Sequence, residues 1–165
     1  MKSFVWTCLV ALTVMAIVSC AGKPPPPPAP PPAPTRVVAS LEAVGDLNPD
    51  PQGRPSPLIL RLYQLKSTGA FDSADFFSLY EKDSAALGAD LVAREEILVK
   101  PGESTLLERT LEDQTRHLGY LAAYRDLDQA VWRATVPIPP NLTTPVKIEL
   151  QRTAISARVE SLPGK

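Results

Sequence analysis

The sequence predicts an all-β domain, an antiparallel β-sandwich of seven to eight strands carrying one short helical insertion. Three observations predict it. Over most of residues 35–162 apolar and polar residues alternate, the period that sends successive side chains to opposite faces of a strand. Clusters of Gly, Pro, Asn and Asp break the alternation every 8–15 residues, the spacing of a sandwich or barrel. Only one stretch, after residue 70, spaces its apolar residues as a helix does.

The first strand is Arg36 to Val44, stopped by Gly45-Asp46. The clearest is Leu58 to Leu65, with Leu58, Leu60 and Leu62 on one face and Ile59, Arg61 and Tyr63 on the other. Between them Leu47 to Pro57 is too rich in Asn, Asp, Gly and Pro to join a ladder. Asp72 is a candidate helix cap with Asp75 at the third helical position, and Phe76, Phe77, Leu79 and Tyr80 follow at helical spacing. A further turn, Asp83 to Leu87, ends at Gly88, a residue suited to a left-handed helix terminus. Strands resume at Leu91 to Val99, turn at Pro101-Gly102, and continue as Thr105 to Leu111 and Leu118 to Tyr124. Asp126-Leu127-Asp128 forms the next turn, before Val131 to Val136 and a stop at Pro137, Pro139 and Pro140. The last strand is Val146 to Leu150, extended through Ile155. Leu60, Leu62, Trp132 and Ile148 are the expected core.

Residues 1–34 have another logic. Lys2 precedes a mostly apolar stretch, Phe4 to Val18, followed by Ser19 and Cys20. That stretch is shorter than the roughly 20 residues a membrane-spanning helix needs, so residues 1–19 read as a cleaved signal. Cleavage leaves Cys20 at the mature N-terminus, where a bacterial lipoprotein carries its acyl chains. Cys8 leaves with the signal, so the mature chain keeps one cysteine, which cannot form an internal disulfide. Ala21 stands where Asp would signal inner-membrane retention, which favours the outer membrane. Pro24 to Pro34 contains nine prolines and two alanines, an extended spacer of roughly 3.1 Å per residue. The expected organisation is thus signal 1–19, lipidated linker 20–34 and sandwich 35–162.

Charge and side-chain inventory exclude several function classes. A net charge of −1 and pI near 5.8 leave no basic patch for nucleic acid. His117 is the single histidine, read as solvent-facing or hydrogen-bonded, so nitrogen or sulfur metal sites and a serine triad lack partners. Glu95 and Glu96 are neighbours on a strand and point apart, which prevents them from acting as a carboxylate pair. The expectation is no enzyme and no cofactor. In Tyr124-Arg125-Asp126-Leu127-Asp128 the arginine is expected to pair with the aspartates of the turn, with Trp132 buried beyond it.

Taken in order, several motifs resemble one family. They are the terminal cysteine, Asn48-Pro49-Asp50-Pro51-Gln52-Gly53-Arg54-Pro55-Ser56-Pro57 leading into Leu58 to Leu65, and Phe71 to Leu79 as Phe-x-x-Ala-x-Phe-Phe-x-Leu. Leu87 to Leu91, Lys100-Pro101-Gly102-Glu103, Leu121 to Leu127 and Trp132-Arg133 follow. This set resembles the TssJ (SciN) family, outer-membrane lipoproteins of the type VI secretion system. The resemblance implies a transthyretin-like sandwich. It also implies a non-catalytic role, anchoring the periplasmic C-terminal part of TssM, and through it TssL, to the outer membrane. By the family's pattern the loop between the first two strands contributes to TssM binding, so Asn48, Pro49, Asp50, Gln52, Gly53, Arg54 and Pro55 are the candidate partner-binding residues. Prolines at 49, 51, 55 and 57 lower the loop's entropy before binding, and Arg54 suits a carboxylate. The competing reading is a periplasmic lipoprotein of the same fold that binds a small ligand or another envelope protein.

Overall fold

A computed structural model describes residues 30–160. The expectations placed on Cys20, on the segment before it and on most of the proline run lie outside these residues.

Among the described residues eight strands form two four-stranded sheets. The first has the order β4 (Ser104–Thr110), β1 (Arg36–Ala43), β7 (Thr143–Leu150), β8 (Ile155–Val159). The second has the order β3 (Leu91–Val99), β2 (Leu58–Leu65), β5 (His117–Ala122), β6 (Arg133–Pro137). The sandwich with a helical insertion is as the sequence predicts, with two differences in its strands. The pairing is antiparallel except for β1 with β7, which run parallel in register from Arg36 opposite Thr143 to Ala43 opposite Leu150. The run expected from Val146 through Ile155 is instead a hairpin. The Gln151 N–H donates to the Ala154 carbonyl at 2.7 Å, reversing the chain so that β8 lies antiparallel to β7.

Between the sheets, Leu58, Leu60 and Leu62 of β2 meet Leu118 and Tyr120 of β5 and Val146, Ile148 and Leu150 of β7, all buried. The other face of β2 is not left to solvent. Tyr63 and Leu65, with Leu121 of β5, are covered by Phe71, Leu79 and Leu87. These come from helices α1 (Gly69–Ser73) and α2 (Phe76–Leu87). Trp132 is only half-buried. It sits just before β6, its ring edge-on to Phe76 at 5.4 Å rather than deep between the sheets.

The cap of the insertion is Asp75, one helix later than expected. Its carboxylate accepts the Ser78 N–H at 2.9 Å and the Ser78 hydroxyl at 2.6 Å, whereas Asp72 lies within α1. The Ser78 hydroxyl, then the backbone N–H, hold the Asp75 carboxyl below its usual range. Helix α2 is broken at Lys82, whose φ of −138° and ψ of 38° are not helical. The break frees carbonyls that would have accepted bonds from the next turn. Arg61 satisfies them from beneath: its Nη1 donates to the Tyr80 carbonyl at 2.7 Å and to the Leu79 carbonyl at 3.3 Å. Its Nε donates to Glu96 at 2.6 Å, and its guanidinium lies 4.4 Å from the Tyr80 ring centre. Arg61 therefore fastens the insertion to the sheet. Glu95 points the other way and pairs with Arg109 of β4 at 2.5 Å, so the two glutamates diverge as expected.

Candidate functional site

The loop between β1 and β2 is built on a pinched base. Leu47 is fully buried, and its carbonyl accepts the Ser56 N–H at 3.0 Å. Asn48, 3% exposed, holds a φ of +46°, a region that Asn tolerates better than most residues. Its side-chain amide donates to the Pro57 carbonyl at 3.0 Å and accepts the Arg125 N–H at 2.8 Å. Its own N–H donates to the Arg152 carbonyl at 3.0 Å. One asparagine thus joins three loops at this end of the sandwich. Asn48→Ala should lower stability by about 1–3 kcal/mol, because the Pro57 carbonyl and the Arg125 N–H lose a partly buried partner. A shift of the urea midpoint toward lower concentration checks this; an unchanged midpoint contradicts it.

Above the base the loop closes on itself. The Asp50 N–H donates to the Arg54 carbonyl at 2.9 Å, and the Gly53 N–H to the Asp50 carbonyl at 2.8 Å. Gly53 has a φ of +79°, where any other residue type is strained. The Asp50 carboxylate accepts the N–H groups of Gln52 and Arg54, each at 2.9 Å, and Arg54 Nε at 2.7 Å. The Arg54 backbone N–H, with the Arg54 side chain and the Gln52 N–H, holds its carboxyl below the usual carboxylate range. Sequence spacing alone offers the Arg54 guanidinium to a partner's carboxylate. In the structure Asp50 already takes its Nε, while its side chain stays 76% exposed.

The seven candidate residues therefore fall into two groups. Asn48, Pro49 and Asp50 line a cleft of about 460 Å³ together with Tyr124, Arg125, Asp126, Arg152 and Thr153. Gln52, Gly53, Arg54 and Pro55 form the exposed tip. Arg125 makes no ion pair with Asp126 or Asp128 among the described residues, contrary to expectation; its N–H is committed to Asn48. Arg152 pairs with Asp46 at 3.2 Å. The sequence signalled Arg125 through its acidic turn, whereas Arg152 and Thr153 were hidden in what read as a continuing strand. Among the described residues no group of three or more His, Cys, Asp or Glu side chains is placed to hold a metal, and no helix is long and apolar enough to cross a membrane.

The model of the family described as type VI secretion lipoprotein, VasD, EvfM, TssJ matches residues 35–153. Among solved structures the chain is similar to the type VI lipoprotein TssJ1 from Pseudomonas aeruginosa. That match has 47% identity and a TM-score of 0.75, over 79% of this chain and 99% of the other. It is similar to a chain of a type VI membrane complex at 26% identity and TM-score 0.66, over 77% and 98% of the two chains. A chain in the structure of the TssM C-terminal domain (869–1107) from EAEC shares the fold, at 23% identity and TM-score 0.61 over 78% and 99%. No curated protein sequence matches the chain.

Proposed function

The chain belongs to the type VI secretion lipoprotein (TssJ) family, and from that membership we propose that it anchors the periplasmic part of TssM, and through it TssL, at the outer membrane. In this reading residues 1–19 are removed, Cys20 carries the acyl chains, and residues 20–34 are a spacer. The domain that follows faces the periplasm and presents the loop of residues 48–55 to TssM. Its work is mechanical attachment, without catalysis or cofactor.

The observation that carries the reading is the preshaped loop in a chain of this family. A tip already closed by Asp50 and fixed at its base by Asn48 loses little further entropy on docking. Asn48 acts here by holding the loop in shape, and Gln52, Gly53, Arg54 and Pro55 act by contact. A single acyl chain binds membranes only marginally, and two or more hold firmly, which suits a component that must resist displacement.

The experiment is membrane fractionation of cells carrying Cys20→Ser. The variant should leave the outer-membrane fraction and appear as soluble periplasmic protein, and secretion should fail although the folded domain still captures the TssM periplasmic domain. A Cys20→Ser protein that stays in the outer membrane would contradict the anchor.

A further inference from the structure

We propose that the aromatic surface made by Phe76, Phe77, Tyr80 and Trp132 is a second contact for the same partner, receiving a segment in which an apolar side chain is flanked by basic residues. The inference rests on the partner-binding reading of the 48–55 loop.

Phe77 leaves 60% of its surface in water at the start of α2. A single exposed apolar residue is ordinary, but this one is continuous with three more rings. Phe76 meets Phe77 edge-on at 5.5 Å, stacks on Tyr80 at 5.3 Å and meets Trp132 edge-on at 5.4 Å. The surface is also rigid. Arg133 donates to the Phe71 carbonyl at 3.1 Å and the Ala74 carbonyl at 2.8 Å while lying 4.7 Å from the Trp132 ring centre. Arg61 fixes Tyr80 from the sheet side. Fixed aromatic rings that need no further ordering are the residues that dominate binding energy at interfaces.

Charge and position select the occupant. Asp75 precedes Phe77 by two residues and Glu81 follows it by one helical turn; both are exposed, and neither has an ion-pair partner among the described residues. Carboxylates beside an apolar anchor favour a basic segment. They disfavour an anionic bilayer, and a two-fold contact with a second copy would bring the same carboxylates to both sides of the interface. The patch also adjoins the loop end of the sandwich. The Val131 N–H donates to the Thr153 carbonyl at 3.0 Å, Thr153 lines the cleft beside Asn48, and Trp132 is the next residue along the chain. One partner can therefore reach from the loop to the rings.

The test is calorimetric titration of the mature chain carrying Cys20→Ser, with and without Phe77→Ser or Glu81→Lys, against the TssM periplasmic domain at two salt concentrations. Both sites are exposed, so circular dichroism and the urea midpoint should be unchanged. Phe77→Ser should weaken binding at least tenfold. Glu81→Lys should weaken it and reduce its dependence on salt. Unchanged affinity in both variants, beside a loop variant that binds weakly, overturns the patch and leaves the loop reading intact. Failure of the parent chain to bind overturns the loop reading and the patch with it. Dimerisation, or cosedimentation with phosphatidylglycerol vesicles, that Phe77→Ser abolishes while TssM affinity is unchanged also overturns the proposal.

Discussion

Arg61→Ala should destabilise the protein by about 1–3 kcal/mol, the cost of leaving buried hydrogen-bonding groups short of a partner. Its side chain is 8% exposed and pairs with Glu96 at 2.6 Å. The loss has two parts. The Tyr80 carbonyl, released by the break at Lys82, would lose its donor, and the Leu79 carbonyl would keep only the Tyr63 hydroxyl at 3.0 Å. Tyr80 would also lose the cation beneath its ring. Arg61→Met restores most of the volume but not the donors, so it should recover only part of the loss. Hydrogen exchange would place the effect: amides of residues 76–87 should exchange faster in both variants, whereas those of β1 and β7 should follow only the global stability. An Arg61→Ala protein with the parent's urea midpoint would mean that the insertion is held by its apolar face alone.

Leu60→Ala should cost about 2–5 kcal/mol through the cavity left between the sheets. Leu60 is fully buried and lies opposite Ile97 of β3 and Ala122 of β5. The central position of β2 allows little collapse around the missing atoms, because both of its neighbours are fixed by ladder hydrogen bonds. For a domain whose total stability lies near 5–15 kcal/mol this is a large share. The thermal midpoint should fall by several degrees, and an unchanged midpoint would show that the β2 face between the sheets had been misassigned.

The sequence made these positions legible to different degrees, for physical reasons. Strand β2 was readable from end to end, because alternation over eight residues has no competing helical solution. That Arg61 and Tyr63 are buried was not readable, since alternation is the same whether a face meets water or a covering helix. The parallel pairing of β1 with β7 was hidden for a similar reason: the pleat fixes which face a side chain takes, not which strand lies beside it. The reversal at Gln151–Ala154 lacks Gly and Pro, so nothing local announced it. At the insertion two aspartates competed for the cap, and the discriminating signal was Ser78 three residues after Asp75. In the loop, composition marked the whole of residues 47–57, but not that Asn48 would be buried and spent on Pro57 and Arg125. The acceptor, the Pro57 carbonyl, lies nine residues on at the far end of the same loop, and the donor, the Arg125 N–H, lies 77 residues away.

Replacement of residues 49–55 by a short Gly-Ser turn, with Asn48 retained, separates folding from binding. The loop's surface contributes little to the core, so the sandwich should persist with a nearly unchanged urea midpoint. Titrated by calorimetry in the mature Cys20→Ser chain against the TssM periplasmic domain, this variant should bind at least tenfold more weakly than the parent, a loss of about 1.4 kcal/mol. A folded variant that binds TssM as tightly as the parent would contradict the role assigned to the loop.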